Sequence, residues 1–193
     1  MTGFTQLQLD SAKFMVEELR KTDSTARSVL MDIVQLGTPS VATGFREVYN
    51  FQVPPLHVAK TTPLHTALDL MTSDLGGLCS DLRAHVIERT DSVVVITTDG
   101  FANDTTSDVL MKSIDAFLGI GKKWLVTNIV IGVGSKLNEE LLKKLANKIP
   151  PLQIEQLSTV LIPFIQKIAR QVSESRPGQE IELELPDGIE TIE

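Results

Sequence analysis

The residues best placed to do chemistry are oxygen-bearing side chains at the ends of apolar runs. Ser92 to Thr97 is β-branched at almost every position and runs on into Thr98-Asp99-Gly100-Phe101-Ala102-Asn103-Asp104. Asp99 therefore stands where a buried strand gives way to a loop. Lys60-Thr61-Thr62 stands before a helix start, with Thr62 at the N-cap and Pro63 at the first helical position, a favoured pair. Ligands of parallel α/β sheets gather beyond the carboxyl ends of the strands. That puts Asp99 on such a rim and allows Lys60–Thr62 to share it. His65 follows just inside the helix, and Asn103 is a loop contact candidate. The same residues have plainer uses. Asp-Gly makes strand-end turns, Thr62 caps a helix, and Asp104 and Asp108 suit the first turn of the next one.

Other chemistry finds less footing. The three histidines, His57, His65 and His85, are spread out, and none has a Ser or Cys that the sequence can place beside it. Gly132-Val133-Gly134-Ser135-Lys136 follows a strand but lacks both G-x-x-x-x-G-K-[ST] and G-x-G-x-x-G, which argues against a nucleotide loop. Cys79 is the single cysteine, so there is neither an intrachain disulfide nor a zinc cluster, and it is expected to be a buried free thiol. The formal charge of −7 disfavours nucleic acid and anionic membranes as main partners. No apolar run nears membrane-spanning length, and no secretory leader is visible. The expectation is a soluble, cytoplasmic, non-enzymatic protein.

The elements that must position the rim read as follows. Leu7, Ala12, Met15, Val16 and Leu19 have helical spacing, ending near Lys21, and Thr22–Thr25 reads as a loop. Val29 to Leu36 is an apolar run of strand length, stopped by Gly37 and Pro39. Phe45 to Val53 reads as an edge strand or irregular chain before Pro54-Pro55. The helix opening at Pro63 buries Leu64, Leu68, Met71 and Leu75, with a break expected at Gly76-Gly77. Asp104 to Leu118 is helical by spacing, Leu125 to Val133 is a second buried strand, and Ser135 caps a helix to about Lys148. Leu152–Ile154 is a short strand, and Leu157 to Val172 is the closing helix. Strands alternating with helices predict a three-layer, Rossmann-like α/β fold with a mostly parallel central sheet. With 193 residues, one domain over 1–176 and an acidic tail over 177–193 are expected.

Three stretches, in order and spacing, resemble the von Willebrand factor A (VWA) family. Thr97–Asp104 resembles its T-D-G-x-x-x-D strand end, Thr61–Leu68 its T-P-L-x-x-A-L motif, and Ile129–Gly134 its I-G-V-G strand. Tyr49–Leu56 and the closing helix are similar to the tellurium-resistance (TerY-like) group of bacterial or phage VWA proteins. The resemblance implies a metal-dependent adhesion site for Mg²⁺ or another divalent cation. In it Thr62 and Asp99 match the family's threonine and second aspartate, and an acidic side chain of a protein partner completes the shell. Thr61, His65, Asn103 and Asp104 then line the partner surface.

One departure bears on that site. The family's D-x-S-x-S segment, on its first strand, has no counterpart here, and Met1-Thr2-Gly3 falls where residues following it would stand. The expectation is an incomplete metal site in a protein-interaction module. Three sources of the missing strand are open: a start upstream of Met1 or a shortened chain, a strand from another chain, or the acidic-apolar alternation Glu180–Leu185. The alternative function is a scaffold subunit with a vestigial site, its strand completed by a second chain or a homo-oligomer.

Overall fold

The computed structural model describes residues 2–36, 40–56, 64–98, 107–134, 137–154, 157–176 and 189–192. The sheet is built on the two most apolar runs of the sequence. β5 (Ser92–Thr98) and β6 (Val126–Val133) pair in parallel, from Ser92 opposite Val126 to Thr98 opposite Gly132. β7 (Leu152–Ile154) adds in parallel to the far end of β6, and β8 (Glu190–Thr191) adds antiparallel to β7. The order is β5-β6-β7-β8. The segment expected as a polar tail thus returns to the sheet at 190–191, and Ile192 is buried with the core. Residues 180–185 lie outside the described residues.

Covering on both faces explains the continuous Val/Ile runs. Alternation along β5 sends Val93 and Val95 toward one face and Val94 and Ile96 toward the other. The first pair meets the closing helix α6 (Leu157–Glu174) and Leu7 and Met15 of the opening helix α1 (Thr2–Leu19). The second pair meets α3 (Leu64–Ala84) and α4 (Ser107–Lys123); α5 (Glu139–Leu145) joins that layer through Leu141, Leu142 and Leu145. The result is the expected helix–sheet–helix sandwich.

Every residue of β6 except the last is buried, whereas most of β5 is half-buried. The difference follows from topology: among the described residues β5 has a strand on one side only. Between α1 and α3 the chain makes two short antiparallel ladders. β1 (Leu30–Met31) pairs with β4 (Arg46–Glu47), and β2 (Val34–Gln35) pairs with β3 (Val41–Ala42). These are the two halves of the single strand expected over Val29–Leu36. Asp32 and Ile33 interrupt it, held by the Thr43 hydroxyl, which donates to Asp32 Oδ1 (2.7 Å) and accepts from the Ile33 N–H (3.0 Å). The hairpin shares the helical layers of the main sheet. Val29, Met31 and Ile33 pack with Val16, Leu19 and Ala169, and Leu36 packs with Leu64 and Leu68. No ladder among the described residues joins hairpin to β5.

Several local expectations need correction. Thr22–Thr25 is the start of α2 (Asp23–Ser28), not a loop; the Thr22 side chain accepts from the Thr25 N–H, an ordinary N-cap. Phe45–Val53 instead agrees with expectation, holding the short strand β4 and otherwise irregular chain with a 3₁₀ turn at Val48–Asn50. α3 runs unbroken through Gly76 and Gly77, because packing against α4 outweighs a cost of about 1 kcal/mol per helical glycine. α4, described from Ser107, continues to Lys123, past the expected end at Leu118, and residues 104–106 lie outside the described residues. α5 is capped by Asn138, whose side chain accepts from the Leu141 N–H; Ser135, the expected cap, lies outside the described residues.

Two side chains sit in the left-handed backbone region, Val86 (φ 56°) just after α3 and Leu125 (φ 54°) just after α4. Each costs ~1–2 kcal/mol relative to glycine there. Gly134 (φ 106°) closes β6 in a conformation that suits glycine.

Candidate functional site

The carboxyl end of the sheet is assembled from three directions. β5 ends at Thr98, which is buried on the α3 side by the alternation that puts Ile96 there. Thr97 faces the other layer, where its Oγ1 accepts from Gln8 Nε2 of α1 at 2.8 Å. α3 starts at Leu64, fully buried in one cluster with Leu68, Ile96 and Leu36. Ser40 and Thr66 share a hydroxyl–hydroxyl bond of 2.8 Å, which ties the β2–β3 connection to the first turn of α3. β6 leaves the rim at Gly134, whose carbonyl accepts from Gln153 Nε2 at 3.3 Å.

Leu64 at the start of α3 and Ile96 near the end of β5 thus share one buried cluster. Of the residues singled out there, His65 is half-buried in the first turn of α3. Thr61 and Thr62 precede that turn, and Asp99, Asn103 and Asp104 follow β5; all five lie outside the described residues. Sequence reasoning passed over Gln8, Ser40, Thr66 and Thr97. The signal for Gln8 and Thr97 was a polar side chain on an otherwise apolar buried face, repeated on two elements.

The chemistry available among the described residues is hydrogen bonding by neutral groups. No cluster of three or more His, Cys, Asp or Glu side chains occurs among them. Thr62 and Asp99, the donors that the resemblance assigns to a divalent cation, are outside them, so the described residues alone do not make a cation shell. Away from the rim, burial pushes the Asp74 carboxyl up, and Asp32 adds to the shift. Burial also pushes the Cys79 thiol up, as suits the inert, buried cysteine expected. No helix among the described residues is long and apolar enough to cross a membrane.

No protein-family model and no curated protein matches the sequence. Solved structures do. Proximal thread matrix protein 1 from the mussel byssus, in one crystal form, superposes on 90% of this chain with TM-score 0.56 at 16% identity. A structure of the same protein with a zinc-occupied MIDAS motif gives TM-score 0.55 at 15% identity, again over 90% of this chain. A third covers 88% with TM-score 0.52 at 14% identity. This chain spans 43%, 43% and 42% of those chains, less than half of each. Identity this low speaks to architecture alone. With parallel β5-β6-β7 between two helical layers, the chain has a VWA-like α/β fold.

Proposed function

We propose that this chain is a non-enzymatic interaction module that holds a protein partner at the rim where β5 ends and α3 begins. The observation that supports the reading is the buried cluster that Leu64, at the start of α3, shares with Ile96, near the end of β5; Thr61, Thr62 and Asp99 adjoin these elements in sequence and lie outside the described residues. The neighbours support it in kind: they are matrix proteins, and one holds zinc in its MIDAS motif. A divalent cation fits the same reading. Mg²⁺ takes a near-octahedral shell of roughly six oxygens and keeps several waters. Thr62 and Asp99 supply two donors, which leaves positions for water and for a partner's carboxylate. The finer expectations belong to this proposal: a TerY-like, cytoplasmic protein whose module over 1–176 is joined by residues 190–192 of the stretch expected as an acidic tail over 177–193.

Calorimetric titration with Mg²⁺ and Mn²⁺ tests the cation. Saturable binding that Asp99→Ala abolishes supports it, and no binding at millimolar metal sinks that part. Pull-down from native lysate tests the module. Partners retained by the native chain and lost with Asp99→Ala and Thr62→Ala support the reading. No partner, together with silent alanine variants, ends it.

A second reading rests on the edge of β5, which among the described residues pairs with a strand on one side only. Such an edge suits a scaffold subunit that accepts a strand from another chain. A stable, monodisperse monomer in solution argues against this reading.

A further inference from the structure

At the opposite end of the sheet, where β5 and β6 begin, α3 and α4 end side by side. Both ends are built against the usual preference. The Ile87 N–H bonds to the Leu82 carbonyl (2.9 Å) and the Val86 N–H to the Arg83 carbonyl (3.1 Å), the two bonds of a Schellman cap. Its left-handed position is ordinarily glycine, and here it is a β-branched valine. After α4, whose last turn closes with the Trp124 N–H on the Ile120 carbonyl (3.0 Å), Leu125 takes the same backbone region. Neither side chain recovers the strain by burial. Val86 is 88% exposed, Leu125 59% and the adjacent Ile87 54%. Large apolar side chains held in strained backbone and turned to water do nothing for the fold, and an exposed patch of this kind marks a contact surface.

Val86 and Ile87, with Leu82, Cys79 and Trp124, line a cleft of about 310 Å³, and Leu125 directly follows Trp124 in the chain. Trp124 is 8% exposed, and its indole N–H has no acceptor among the described residues. Around the cleft the charge is positive. Lys123 Nζ lies 4.9 Å and the Arg89 guanidinium 5.8 Å from the Trp124 ring centre, and Arg89 also donates to the Trp124 carbonyl. Arg83 and Lys122 stand beside them in the last turns of α3 and α4. None of these four cations has an ion pair among the described residues. Arg83 and Arg89 line the cleft together with one acid, Glu88; Asp81 lies on the preceding turn of α3, and Asp91 is taken by Lys148 at 3.1 Å, so the cations outnumber the acids around the cleft. A cationic border on a chain of net charge −7 selects its partner by charge.

We infer that the joined ends of α3 and α4 form a second docking surface, one that takes an acidic protein segment carrying large apolar side chains. An apolar side chain enters the cleft against Trp124, and flanking carboxylates meet Arg83, Arg89, Lys122 and Lys123. The surface is independent of the rim, so Asp99→Ala and Thr62→Ala leave it intact.

Trp124 is the single tryptophan of the chain, so its emission reports on the cleft directly. The probe is a peptide of alternating glutamate and leucine, titrated at low salt. The expected result is a saturable change in Trp124 emission, weakened by at least about tenfold in Arg83→Glu/Lys123→Glu. A lysine–leucine peptide of equal length gives no saturation. The combined Val86→Gly/Leu125→Gly variant loses the response while its melting midpoint rises by about 2–4 °C per site, because glycine relieves the left-handed strain. That opposition separates docking from a structural role. An absent response in the native chain overturns the inference. So do an equal response to the lysine–leucine peptide, retained binding in the glycine pair, or a fall in its melting midpoint.

Discussion

Asn147 stands in for a strand. β7 reaches only Ile131–Val133 of β6, so the earlier part of that edge has no ladder partner from β7. There Asn147 Oδ1 accepts from the Asn128 N–H at 2.9 Å, and Asn147 Nδ2 donates to the Val126 carbonyl at 2.6 Å. Val126 and Asn128 are both buried, under the exposed Asn147. Asn147→Ala removes the partners of two buried backbone groups, at about 1–3 kcal/mol each, or roughly 2–6 kcal/mol together. The third bond, from the exposed Lys148 N–H, passes to solvent and adds little. For a chain of this length the loss lowers the melting midpoint by roughly 5–15 °C. Asn147→Asp keeps the acceptor for Asn128 but sets a carboxylate against the Val126 carbonyl, so it too destabilises. Thermal and urea unfolding followed by circular dichroism read both variants. An alanine variant within about 0.5 kcal/mol of the native chain refutes the claim that this side chain completes the sheet edge.

Two further variants test how the layers are held. A Cβ at Gly132 falls 2.7 Å from Leu142 Cδ1 and 2.8 Å from Leu137 Cδ1. Gly132→Ala therefore destabilises by about 1–3 kcal/mol, and Leu142→Val restores part of the loss; a neutral Gly132→Ala in urea unfolding contradicts the close approach of α5 to β6. Glu18 links α1 to α6, 2.6 Å from Lys21 Nζ and 3.6 Å from Arg170 Nη2. The hydrogen bond from Lys21 holds its carboxyl below the ordinary value of 4.5, against the opposing effect of burial. A lowered folded-state value contributes stability that is fully present above the ordinary value and is lost as pH falls through the lowered one. Glu18→Gln is expected to flatten the acid limb of the stability–pH curve, and an unchanged limb counts against the link.

The sheet was legible because its strands are the purest apolar runs in the chain. Val93–Ile96 and Ile129–Ile131 are covered on both faces, so their burial and their sequence carry the same signal. The rim was legible to the level of its elements, since strand ends and helix starts are marked by Thr98 and Leu64. What escaped notice depended on tertiary partners. The break at Asp32–Ile33 needs the Thr43 hydroxyl, ten or eleven residues away. The Asn147 edge needs the short reach of β7. The caps at Val86 and Leu125 run against glycine preference, so local propensity points away from them. The return of 190–191 to β7 has little signature in so short a polar stretch.

The central claim is that partners are held at the rim of β5 and α3. The most direct test is the fraction of a captured partner bound by three purified chains: native, Thr62→Ala/Asp99→Ala, and Val86→Gly/Leu125→Gly. The account predicts loss of the rim partner in the first variant and its full retention in the second. Undiminished binding by the Thr62→Ala/Asp99→Ala chain, with its fold intact by circular dichroism, contradicts it.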